Sequence, residues 1–61
     1  MTRVGLVVDS DVARVLVTHD GRTRSIFGSR SLEMMADVAM ALRDDLDLAH
    51  DLWCAVERRS R

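Results

Sequence analysis

The chain has 61 residues, 48% of them apolar and 31% charged, with nine basic and ten acidic side chains and a formal net charge of −1. That length makes one domain over residues 1–61, and a domain this small buries only about 60% of the surface its unfolded chain exposes, so stability is marginal without a metal, disulfides or a second subunit. Near-neutral charge argues against a general nucleic-acid binder; the single cysteine rules out an intrachain disulfide and fits a cytoplasmic setting; and uninterrupted apolar runs of at most five residues, Val38–Leu42 and Leu52–Val56, offer no membrane span.

From the N-terminus, the first half predicts a two- or three-stranded antiparallel β-meander, with strands at about 3–9, 12–18 and 22–27. Ser10-Asp11 and Asp20-Gly21 are turn formers at the two connections, and Asp-Gly suits a type I′ hairpin turn. With Ser10-Asp11 as a two-residue loop, Val8 faces Ala13, Leu6 faces Val15 and Val4 faces Val17. All six are apolar and share one side, and a one-residue slip would destroy the match. With Asp20-Gly21 as the next loop, Val15 faces Ile26 and Val17 faces Arg24. The opposite side then holds Arg3, Val7, Val12, Arg14, Leu16 and Phe27, together with Thr18, Thr23 and Ser25.

The second half predicts one long amphipathic α-helix over about 31–58, packed on one sheet face. Ser29 and Ser31 are candidate N-caps, and Arg58, Arg59 and Arg61 suit the negative C-terminal end of a helix. Leu42, Leu46, Ala49, Trp53 and Val56 lie along its apolar face as core or dimer contacts, and the Trp53 N–H needs an acceptor. The apolar arc is wider than the ~100° stripe that one sheet covers. A continuous helix of about 40 Å would also overhang strands of about 20–23 Å. Asp45 is the one charge inside the arc. Two arrangements accommodate it: a break at Asp44-Asp45, with one of them capping a second helix, or an ion pair between Asp45 and Arg24.

Little in the chain carries chemistry. His50 and Cys54, one helical turn apart, are metal-ligand types, but a tetrahedral site would need His19 or another chain to complete it. No metal and no cofactor are expected. The run Val7-Val8-Asp9-Ser10-Asp11 resembles the strand-Asp-x-Asp start of haloacid-dehalogenase-type phosphatases. That chemistry requires a supporting lysine and further acids from a large sheet, and all nine basic residues here are arginine. Asp9 and Asp11 therefore read as turn residues.

The function expected is a small non-enzymatic protein-interaction module (a regulator, inhibitor or assembly factor) acting as a homodimer. Its partner-binding surface is the sheet face bearing Arg3, Val7, Val12, Arg14, Leu16 and Phe27. The alternative is a dimeric DNA-binding protein that lays the same arginine-bearing face against nucleic acid.

Overall fold

The computed structural model describes residues 1–60. Three antiparallel strands, β1 (Thr2–Asp9), β2 (Val12–His19) and β3 (Arg22–Ser29), form a meander in the order β1-β2-β3. Two helices follow, α1 (Leu32–Arg43) and α2 (Leu46–Arg59), in place of the single helix expected.

The first hairpin has the register that its apolar pairs require. Val8 stands opposite Ala13, Leu6 opposite Val15 and Val4 opposite Val17. Ser10 and Asp11 both take positive φ, 50° and 68°, as do Asp20 and Gly21 at 51° and 77°, so both connections are of the primed type that matches strand twist. Ala13, Val15 and Val17 of the central strand are buried, the two valines fully. Burying a valine contributes about 1.5–3 kcal/mol. Met35, Ala39 and Leu42 from α1 and Ala49 and Trp53 from α2 close over them, with Val4, Leu6, Ile26 and Leu52 at the margin. The covered face is therefore the one the alternation in β2 marks as apolar.

The second hairpin departs from its expected register. Val17 does face Arg24, but Val15 faces Phe27 rather than Ile26, because the ladder shifts between Val15 and Leu16 and leaves Ile26 as an extra residue. Such a bulge turns two successive side chains toward one side. It carries Ile26 and Phe27 together to the helix side, where they line a groove with Leu52, Ala55, Val56 and Arg59. Gly28 consequently takes the place opposite Arg14.

The break between the helices falls at Asp44-Asp45, one of the two arrangements that spare Asp45 from burial. Asp45 is exposed, with φ −138° and ψ 77°, and its Oδ1 accepts from the Leu48 N–H at 3.1 Å as the N-cap of α2. Ser31 caps α1 in the same way, accepting from Met34 N–H at 3.2 Å, and Ser29 Oγ accepts from Ser31 N–H. The Arg24–Asp45 ion pair does not form; Arg24 bonds Glu57 instead. The break also removes the overhang, since helices of 12 and 14 residues are about 18 and 21 Å long and fit strands of eight. Leu46, expected on the core or dimer face, sits in the first turn of α2 and is 45% exposed, while Leu42, Ala49 and Trp53 are buried and Val56 is half-buried.

Replacing Asp45 with alanine removes a cap and strands no buried charge. The expected loss is about 0.5–2 kcal/mol, additive with Arg24→Met in a double variant. Strong coupling between the two positions in denaturant melts would contradict the cap assignment.

Candidate partner-binding face

Both helices cover the same side of the sheet, so the other side is bare. Paired residues share a face, which places Arg3 beside Thr18, Gly5 beside Leu16, Val7 beside Arg14 and Asp9 beside Val12 on the bare side. The third strand adds Thr23, Ser25 and Gly28. Five of the six residues assigned to a partner surface, Arg3, Val7, Val12, Arg14 and Leu16, are thereby brought together. Phe27 is not among them. The bulge at Ile26 places it on the helix side, 42% exposed at the mouth of the α2 groove.

Arg14 occupies the middle of this face. Val7 is its cross-strand neighbour, and Gly28 flanks it on the other side. A Cβ at Gly28 would lie 3.8 Å from both Arg14 Cγ and Val12 Cγ1, so the missing side chain leaves those two a shared floor. A second gap opens at Gly5, where an added Cβ would meet nothing within 4 Å. Around it Arg3, Val4, Leu16, Thr18 and Thr23 outline a shallow depression of ≈ 300 Å³. Thr18 and Thr23 hydrogen-bond one another across the strands at 2.8 Å, which holds that end in one arrangement. The face thus combines an apolar strip, two guanidinium groups and a shallow depression at Gly5.

Two other clusters sit on the helix side. In the first, the His19 ring lies 4.2 Å from that of His50 and 5.1 Å from that of Trp53, centroid to centroid. Thr2 Oγ1 lies 3.1 Å from His19 Nδ1, Asp20 Oδ2 lies 3.4 Å from His19 Nε2, and Cys54 Sγ lies 3.5 Å from His50 Nε2. The fold does bring His19 to the His50–Cys54 pair. The imidazoles pack against one another at a tilt of 42°, however, and among the described residues no three His, Cys, Asp or Glu side chains converge on a point that would hold a metal ion. The cluster ties the end of the first hairpin to α2.

The second cluster is ionic. Glu57, 8% exposed, receives Arg22 Nη2 at 2.6 Å and Arg24 Nε at 2.7 Å, one on each carboxylate oxygen. The bond and the charge of Glu57 raise the Arg24 pKa above its ordinary value. A raised arginine pKa adds stability that is lost only as pH rises through that value, far above neutrality, so Arg24 stays charged throughout the working range. One turn earlier, Trp53 Nε1 donates to the Arg22 carbonyl at 2.9 Å, supplying the acceptor that a buried indole requires. Sequence reading missed Glu57. A signal was present: Ala49, Trp53 and Glu57 recur at intervals of four, so the buried stripe of α2 runs into a carboxylate.

Comparison with protein-family models, with curated proteins and with solved structures finds no match in any of the three. Among the described residues no helix is long and apolar enough to cross a membrane.

The ionic cluster is asymmetric, because Glu57 is buried whereas the Arg22 and Arg24 side chains are 59% and 33% exposed. Removing the acid leaves two arginines that can reach water, whereas truncating the arginines takes two cationic contacts from a carboxylate that stays buried. Arg22→Ala with Arg24→Ala is expected to destabilise the chain more than Glu57→Leu does. Equal losses in urea titrations would show that the cluster is not organised around a buried acid.

Proposed function

We propose that the chain is a small non-enzymatic protein-interaction module, acting as a homodimer, whose partner lies against the bare face of the sheet. The observation that carries this reading is an arginine at the centre of an uncovered apolar strip: Arg14, with Val7 across the strand and Val12 and Leu16 two residues away on its own strand. Arginine is enriched among the residues that dominate binding energy, and a surrounding apolar ring excludes water from its contacts. The depression at Gly5 adds a socket for one side chain of the partner. Half-exposed valines on a sheet face lose surface to water only when something docks on them. Regulators, inhibitors and assembly factors work in this way, by shape and charge on a rigid support.

Two substitutions separate binding from folding. Arg14→Ala is expected to weaken partner capture about ten-fold or more while the circular-dichroism spectrum and melting temperature stay near those of the native chain. Gly5→Val fills the socket in open space and should also weaken capture without unfolding the sheet. The measurement is affinity capture from the cell of origin with native and variant chains side by side, followed by mass spectrometry. A partner retained equally by all three chains would refute the assignment. Recovery of DNA that is lost steeply as salt is raised would instead favour the nucleic-acid alternative.

A further inference from the structure

A three-stranded meander has two free edges, and they differ here. The β3 edge carries the bulge at Ile26, a device that spoils pairing with another strand. The β1 edge pairs with β2 in unbroken register from Thr2 to Asp9, and its sequence contains neither proline nor lysine. An eight-residue edge of that kind is a template for another strand.

The hairpin geometry states which backbone groups that edge presents. In a two-residue hairpin, the residues flanking the loop, Asp9 and Val12, bond one another, and bonded and non-bonded pairs alternate from there. Asp9, Val7, Gly5 and Arg3 therefore turn their N–H and C=O groups toward β2. Val8, Leu6, Val4 and Thr2 turn theirs outward. The Val4 carbonyl shows this directly, since it accepts from Arg43 Nε at 3.2 Å on the outer side.

We infer that a second copy of this chain pairs with β1 antiparallel, with the two-fold axis at Leu6, so that two meanders join in one six-stranded sheet. This rests on the homodimer reading above and gives it a surface and a register. The pairing exchanges backbone bonds at Leu6 with Leu6 of the other copy, and at Val4 with Val8, all of them outward-facing groups. On the bare face the same register sets Gly5 opposite Val7 and Arg3 opposite Asp9, twice per dimer. Shifting by two residues in either direction keeps the backbone parity but separates Arg3 from Asp9. Charge complementarity thus selects one register of the strand against itself. Val8, 58% exposed on the helix side, and Val7, 44% exposed on the bare side, both gain cover. The incoming N–H shares the Val4 carbonyl with Arg43 through its second lone pair, or displaces that exposed side chain. The two bare faces become continuous, with their β2 strands about 14 Å apart at ~4.8 Å per strand spacing.

The test uses charge exchange at two exposed positions. Arg3→Asp sets like charges opposite Asp9 of the other copy, and Asp9→Arg does the same with Arg3. Each variant alone is expected to dimerise about ten-fold more weakly than the native chain in sedimentation equilibrium, while circular dichroism shows both folded. Mixed together, the two variants restore both opposite-charge pairs, so a tag-distinguished heterodimer should form with near-native affinity. The double variant R3D/D9R should also dimerise like the native chain. If the native chain dimerises but both single variants match it and mixing shows no preference, the β1 register is wrong while the dimer stands. A native chain that stays monomeric at micromolar concentration overturns both.

Discussion

Only one side of this sheet can be covered, and the arrangement of everything else follows from how the chain divides its helical half to do so. A continuous helix would run past the end of the strands and carry Asp45 into the core. The break at Asp44-Asp45 turns that carboxylate into a cap, bonded to Leu48 N–H, and sends α2 back over the same three strands that α1 covers. Met35, Ala39 and Leu42 then share one layer with Ala49 and Trp53, above the two fully buried valines of β2. Among the described residues there is no third layer, so the other face of the sheet meets solvent.

The far end of α2 is held differently from its start. Trp53 Nε1 reaches the Arg22 carbonyl, and Glu57 joins Arg22 and Arg24, so the last two turns are fastened to β3 by directional bonds rather than by apolar area alone. Among the described residues the buried core numbers eight, and these directional contacts supplement its apolar packing. The histidine pair performs a similar service beside it, joining β2 to α2 through the tilted contact of His19 and His50.

Much of this was legible in the residues, and the exceptions have physical causes. The first hairpin could be read because six apolar residues oppose one another in only one register, and a slip would expose them all. Asp45 could be read because a lone acid in an apolar arc permits few arrangements, although choosing the cap over a pair with Arg24 required the fold. The bulge at Ile26 could not be read: Arg-Thr-Arg-Ser-Ile-Phe alternates well enough for a regular strand, and the extra residue emerges only when Ile26 and Phe27 both turn toward α2. That single insertion moved Phe27 off the partner surface and put Gly28 beside Arg14. Glu57 was missed because a charge at the end of a helical stripe reads as the start of its exposed face until two arginines are seen to meet it.

What remains is a bare sheet face with Arg14 at its centre and a socket at Gly5, next to an edge strand whose own charges are complementary to themselves. The central claim is that binding uses this face and leaves the outer surface of the helices free. Residue-by-residue NMR of the isotope-labelled chain with the captured partner tests it most directly. The account predicts that attenuation and shift changes concentrate at Arg3, Gly5, Val7, Val12, Arg14, Leu16 and Thr18. Changes confined to exposed helix positions such as Glu33, Met40, Asp47 and Asp51, with the sheet face untouched, would contradict it.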